Sequence, residues 1–138
     1  QAEASFDIPL LARAVAGDFI WLKLGDEYRG RFTTALRDRL ARDCARRQGP
    51  GTLTLLRTRP RPDGVSLTAR LTGADNAERV LVWQLRQGGP WGWQATDVSA
   101  DGVSLSSVLH EQVRAAFDTA EGDAEATIAG LANGAPLP

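Results

Sequence analysis

The spacing of apolar residues changes twice along this chain, and that change limits the folds open to it. Apolar residues recur every four positions from Tyr28 to Cys44, as in a helix with one buried stripe. After Gly51 they alternate with polar residues, as in strands, and the helical spacing returns after Ser104. This order predicts an α+β protein with helices on both sides of a run of strands.

Four helices are expected from start and stop signals. The first covers residues 7–17, with Asp7 as its cap, and an apolar cluster at 19–24 separates it from the next. The longest helix is predicted from Asp26 to Gln48. Two more follow the strands, one capped by Ser104 and one restarted at 122–123.

Four strands are predicted at residues 52–55, 65–71, 80–85 and 91–97. Their connections are short and contain Gly, Pro, Asp and Asn, which favours an antiparallel meander. A single domain over residues 1–138 is expected, with a twisted four-stranded antiparallel sheet covered by helices on one face. A long helix across the mouth of such a curled sheet makes a cone, which is either filled by its own side chains or leaves a cavity.

Charge and rare residues exclude several classes of function. The chain has 138 residues, with 16 Lys and Arg against 17 Asp and Glu, and this balance does not favour a nucleic-acid partner. One cysteine and one histidine cannot supply a four-ligand structural zinc site. We therefore predict no metal and no cofactor.

Candidates for catalysis are few. His110 and Cys44 both lie in predicted helices. His110 is expected to be a partly exposed helix histidine, and Cys44 a small buried apolar residue near the helix end. Asp97 and Asp101 are expected to accept backbone hydrogen bonds where the chain leaves the sheet. A small cone-fold isomerase or cyclase would need Tyr28 or Asp97 as a base inside the cone. We predict that the protein is not an enzyme, and keep such an enzyme as the weakest alternative.

Four arginines project from one flank of the long helix and are candidates for contact with an anionic head group or an acidic partner. The alternative is a solvated helix face, with Asp38 paired to Arg42 one turn later. The four are Arg31, Arg39, Arg42 and Arg46.

Apolar residues of the predicted sheet and helices face one another across the interior. Periodicity alone does not separate a filled core from a lined cavity. These residues are Phe32, Leu36, Leu40, Leu67, Leu81, Trp83, Leu85, Trp93, Leu109 and Val113.

Several segments, taken in order, resemble the MlaC family of periplasmic lipid carriers, also known as toluene-tolerance proteins. Residues 6–40 have the pattern of a helix ending in Gly, an aromatic pair and a long helix with aromatic residues. The strand from Val80 to Leu85 follows. The most specific part is the Trp strand from Trp91 to Val98, with Asp101 to Leu105 opening a helix and 122–131 closing the chain.

The resemblance implies a cone related to the nuclear-transport-factor-like folds, enclosing an apolar cavity for acyl chains lined by the ten residues above. It also implies a periplasmic carrier of phospholipid or a related acyl lipid. Its transient partners would be an outer-membrane lipoprotein complex and an inner-membrane ABC transporter complex. The competing hypothesis is a non-catalytic adaptor or binding module with a filled core.

One departure from the family pattern concerns the N-terminus. Family members usually have a further helical segment before the position of Phe6, and only five residues precede Phe6 in this chain. Either that segment has been removed or the chain is a shortened member with a smaller or more open pocket.

Overall fold

The computed structural model describes residues 5–46 and 51–136. One long helical element comes first, five strands follow, and two helices end the described chain, so the α+β prediction is confirmed. In chain order the elements are α1 (Ile8–Arg46), β1 (Gly51–Arg61), β2 (Gly64–Gly73), β3 (Glu78–Gln87), β4 (Trp93–Ala100), β5 (Val103–Ser104), α2 (Leu105–Thr119) and α3 (Ala124–Ala132).

The strands form one antiparallel sheet in the order β1-β2-β3-β4-β5. The prediction of four strands is wrong in number, because β5 adds a fifth. Asp101 and Gly102 take positive φ values of 50° and 87°, and this tight turn folds β5 back onto β4. A strand of two residues is too short to show an alternation of apolar and polar residues, so β5 could not be detected by that pattern.

The strand β1 is also longer than expected. A register shift between Leu55 and Arg57 inserts one extra residue, a β-bulge, and the strand continues to Arg61. Beyond the bulge, the residues that lie on one face of the strand are shifted by one position. The alternation of apolar and polar residues is therefore interrupted after Leu55. Every residue of β1 is exposed, Leu53 and Leu55 included.

Two glycines divide α1 into three helical segments. Gly17 has φ 77° and Gly25 has φ 73°, both outside the helical region. The predicted helix end at Gly17 and the predicted start of a new helix at 25–26 are confirmed, and the apolar cluster at 19–24 is helical itself. Asp7 caps the first segment, accepting a hydrogen bond from the Leu10 amide at 3.2 Å. The predicted end of the long helix at Gln48 lies outside the described residues.

The main core lies among the helices. Fully buried side chains from α1 meet those of α2 and α3, and β4 closes the core on the sheet side. The predicted cap Ser104 is confirmed, since it accepts a hydrogen bond from the Ser107 amide at 3.2 Å. The predicted restart at 122–123 is also confirmed, and Asp123 caps that helix by accepting a hydrogen bond from the Ala126 amide at 2.9 Å. The largest apolar side chains of the core with no exposed surface are Leu11, Val15, Phe32, Leu36, Leu109, Val113 and Leu131.

Gly17 makes room for the only histidine. The His110 ring packs beside it, with Nδ1 2.8 Å from the Val15 carbonyl oxygen, and a Cβ at position 17 would lie 2.9 Å from His110 Cε1. We expect Gly17→Ala to lower the free energy of unfolding by about 1–3 kcal/mol, because alanine is strained at positive φ and displaces the ring.

Gly30→Ala is the matched control on the same helical element. Nothing lies within 4 Å of a Cβ built there. Removing a helical glycine should raise the free energy of unfolding by about 0.5–1 kcal/mol. Urea unfolding followed by circular dichroism measures both variants, and equal effects would contradict this role of Gly17.

Candidate functional site

An apolar cleft of about 480 Å³ opens between the sheet and the helices. Its volume lies in the range of small-molecule pockets, about 300–1,000 Å³. One wall is the inward face of β2, β3 and β4, and the other is formed by α1 and the first turn of α2. The lining consists of Phe6, Leu40, Asp43, Leu71, Arg79, Leu81, Trp83, Val98, Ser99, Ala100, Asp101, Val103, Ser104, Leu105 and Val108.

Strand alternation explains why the sheet wall is apolar. Leu81 and Trp83 are two residues apart on β3, so both side chains lie on the inward face, and the register places Val98 of β4 opposite Trp83. Their outward neighbour Val80 lies on the other face. A continuous apolar surface therefore runs across the central strands.

An aromatic pair forms one part of the wall. The Phe6 and Trp83 rings lie 6.4 Å apart between centroids, at 42° to each other. Phe6 is held there because the segment before α1 bridges to β4, with the Asp7 amide donating to the Ala95 carbonyl at 2.9 Å. By contrast, Asp101 and Val103 are exposed, and they mark the open mouth of the cleft.

A buried ion cluster adjoins the cleft, and Asp43 is its member that lines the cleft. Arg39 has no exposed side-chain surface, and its Nε donates to Asp43 Oδ2 at 2.9 Å. Its Nη1 donates to the Leu131 carbonyl at 2.7 Å and to Gln112 Oε1 at 2.9 Å. Its Nη2 donates to the Ala135 carbonyl at 2.5 Å. This one guanidinium thus joins α1 to α2 and to the chain after α3.

Arg42 extends the same cluster. It donates to Asp43 Oδ1 at 3.0 Å and to the carbonyls of Ala132 and Gly134 at 3.0 and 3.2 Å. Burial by itself would raise the pKa of the Asp43 carboxyl, but the hydrogen bonds from Arg39 and Arg42 hold that pKa below its usual value. The carboxylate therefore stays charged while buried.

A wider groove of about 810 Å³ runs between α1 and α3. Five of its eleven wall residues are charged: Glu27, Arg31, Asp38, Arg39 and Arg42. The Arg31 guanidinium donates two hydrogen bonds of 2.6 Å to the Glu125 carboxylate, and these bonds lower the pKa of the Glu125 carboxyl. Charged residues make up a smaller part of the apolar cleft wall, three of fifteen, so the smaller cleft is the better candidate for a site that holds an acyl chain.

Comparison with known proteins identifies the family. The sequence model of the family described as "MlaC protein" matches residues 1–133. The chain belongs to the MlaC family. Among solved structures, it is similar to the phospholipid-binding protein from Ralstonia solanacearum, determined in complex with a phospholipid. The sequence identity is 17%, the TM-score is 0.73, and the match covers 91% of this chain and 71% of that one. No curated protein matches the chain.

Within this MlaC fold, three of the ten predicted cavity residues line the cleft: Leu40, Leu81 and Trp83. The remaining sheet residues are not part of its lining: Leu67 is half-buried opposite Trp83, Leu85 packs on the core, and Trp93 is 42% exposed at the start of β4. The other predicted helix residues lie in the closed core among the helices: Phe32, Leu36, Leu109 and Val113.

The reason for this division is geometric. Apolar residues spaced four apart show that one side of a helix is buried. They do not show which other element of the fold covers that side. In this member of the MlaC family α2 and α3 cover most of the α1 stripe, and among the stripe residues whose side chains the structure describes, Leu40 is the one that lines the cleft. Seven apolar lining residues were not predicted from the sequence, although strand alternation at Leu71 and Val98 was an available signal. The seven are Phe6, Leu71, Val98, Ala100, Val103, Leu105 and Val108.

The arginine prediction needs a correction. Arg39 is fully buried and its donors are occupied, so it offers no surface to a head group. Arg31 and Arg42 also bind the C-terminal part of the fold, and their contact with a ligand or partner stays a prediction. Arg42 pairs with Asp43, and Asp38 lies 3.5 Å from Arg37, so the expected Asp38 to Arg42 pair is not formed. The Arg46 side chain lies outside the described part.

Two of the residues considered for catalysis, Asp97 and Asp101, accept hydrogen bonds from the backbone. Asp97 Oδ1 accepts from the amides of Val98 and Ser106 at 2.8 and 3.2 Å, and Asp101 Oδ1 accepts from the Val80 amide at 2.9 Å. Both predictions of backbone binding are confirmed. The Cys44 side chain is outside the described part of the chain.

Within residues 5–46 and 51–136, no three His, Cys, Asp or Glu side chains cluster as metal ligands, and none of the helices has the length and hydropathy to cross a bilayer.

Proposed function

We propose that this protein binds a phospholipid or related acyl lipid, with an acyl chain held in the apolar cleft. The observation that carries the proposal is the cleft itself, about 480 Å³ with its wall of Phe6, Leu81 and Trp83, in a member of the MlaC family. The phospholipid bound to the Ralstonia solanacearum protein, which shares the fold, supports it.

The energetics of the cleft suit an acyl chain. Each methylene moved from water into an apolar site gains about 0.8 kcal/mol, so burial of ten gains about 8 kcal/mol before ordering costs. Strand pairing fixes the position of the apolar sheet face, which keeps the cost of forming the site low. Recognition then depends on the tail and tolerates different lipids.

Membership in the MlaC family also suggests a carrier in the periplasm. In this proposal the protein shuttles lipid between an outer-membrane lipoprotein complex and an inner-membrane ABC transporter complex, without chemical change. Both cleft carboxylates accept hydrogen bonds from the protein, Asp43 from arginines and Asp101 from a backbone amide. Such occupied groups favour binding over acid–base catalysis.

Mass spectrometry tests this proposal. Native spectra of the purified protein should show a discrete mass shift, and an organic extract of the same sample should contain a phospholipid of that mass. A folded protein that shows no shift and takes up no lipid from vesicles would contradict the proposal and favour the adaptor with a filled core.

A further inference from the structure

Arg79 places one guanidinium on the otherwise apolar inward face of β3. It lies two residues before Leu81 and four before Trp83, so all three side chains share that face, and the register puts Leu71 opposite Arg79. Its side chain lines the cleft and is 32% exposed. The row on β3 therefore has a cation at one end and apolar groups along the rest.

Arg79 differs from Arg39 and Arg42 of the buried cluster in its hydrogen bonding. Its nearest carboxylate is Asp101, with Nε and Oδ2 3.7 Å apart, a distance longer than a hydrogen bond. Asp101 meanwhile accepts the Val80 amide through its other oxygen. Among the described residues, the Arg79 side chain donates no hydrogen bond within 3.5 Å. Its planar donors are thus available to an anion at the mouth of the cleft.

The position of Arg79 also matches the open end of the cleft. Asp101 and Val103 beside it are exposed, while Phe6 and Leu40 at the other side of the lining are buried. The strand from Arg79 to Trp83 spans about 13 Å. An amphiphile lying along β3 would place its charged group at the mouth and its chain over Leu81 toward Trp83.

We propose that Arg79 binds the phosphate of the lipid head group at the mouth of the cleft, an assignment that rests on the proposed lipid-binding function. The guanidinium fork matches a phosphate oxygen pair and gives charge-assisted hydrogen bonds. Asp101 competes with that phosphate for the same guanidinium. Removing the Arg79 charge should therefore weaken phospholipid binding, and removing the Asp101 charge should strengthen it.

The test compares two amphiphiles with identical acyl chains, phosphatidylglycerol and diacylglycerol, in competition with a fluorescent lipid. Arg79→Gln should bind phosphatidylglycerol about five- to tenfold more weakly and diacylglycerol within about twofold of wild type. Asp101→Asn should bind phosphatidylglycerol about two- to threefold more tightly. Asparagine tolerates the positive φ at this position and still accepts the Val80 amide.

Arg70→Gln is the matched control. Arg70 lies on β2 on the opposite face of the sheet and is likewise loosely paired, 4.0 Å from Glu78. Equal losses of phosphatidylglycerol binding in the Arg70 and Arg79 variants would overturn the assignment while leaving lipid binding intact. Wild-type protein that binds neither amphiphile would overturn the proposed function as well.

Inorganic phosphate serves as a separate probe for a free anion. If Arg79 binds a lipid head group, millimolar phosphate should displace little lipid, because the acyl chain supplies most of the affinity. Binding of phosphate alone that disappears in Arg79→Gln, together with unchanged phosphatidylglycerol affinity in that variant, would assign the site to a free anion and overturn the head-group role.

Discussion

Arg39→Met is expected to lower the free energy of unfolding by about 3–5 kcal/mol, the usual cost of breaking a buried ion pair from one side. The substitution leaves the Asp43 carboxylate buried with Arg42 as its remaining partner. It also removes the donors that bind the carbonyls of Leu131 and Ala135. Urea unfolding at pH 7, followed by circular dichroism, measures the change.

Arg13→Met is the matched control for this prediction. Arg13 lies on the same helical element, is exposed, and is 3.8 Å from Asp18. An exposed pair of this kind contributes little, so the control should change the free energy of unfolding by less than about 0.5 kcal/mol. Similar losses of unfolding free energy in both variants would show that the buried cluster stabilises the fold no more than an exposed ion pair does.

The same cluster predicts a pH dependence. Because the folded-state pKa of Asp43 is lowered, its stabilising contribution is fully present above the unfolded-state pKa of about 3.9 and is lost as pH falls through the folded-state pKa. Arg39→Met removes part of that lowering. The stability difference between wild type and variant should therefore be largest at neutral pH and smaller at pH 3. A constant difference would contradict the electrostatic explanation.

Ala100→Trp is expected to weaken lipid binding by at least about a hundredfold. Ala100 lies on the inward face of β4, opposite Leu81, and lines the cleft. An indole placed there occupies space that the acyl chain needs, and excluding six methylenes forfeits about 5 kcal/mol. Equilibration with labelled vesicles followed by separation measures the bound lipid.

Val80→Trp provides the control for that variant. Val80 precedes Leu81 on β3, lies on the outward face and is exposed, so the same ring is added outside the cleft. It should keep wild-type lipid binding. Loss of binding in both variants, with both still folded by circular dichroism, would contradict the placement of the acyl chain between sheet and helices.

Local signals made most of the fold predictable. Glycines at 17 and 25, the caps Ser104 and Asp123, and the strand alternation each act over a few residues, so the sequence shows them directly. The two-residue β5 and the bulged end of β1 carry no such pattern. Tertiary pairing with a neighbouring strand produces both.

The site was less predictable, because it depends on which elements face each other. Trp83 and Leu81 follow from alternation on β3, whereas the buried stripe around Phe32 turned out to pack against helices. The arginines of the long helix show the same limit. Their spacing indicated a shared flank, but only the fold reveals that Arg39 is buried against α3 and that Arg79, on a strand, reaches the cleft.

Fluorescence of Trp83 tests the central claim most directly. The chain has four tryptophans, and replacing Trp21, Trp91 and Trp93 by phenylalanine leaves Trp83 as the single reporter in the cleft wall. A phospholipid brominated along its acyl chain should quench that fluorescence, and the same lipid without bromine should not. Binding of the brominated lipid with Trp83 unquenched would contradict an acyl chain in this cleft.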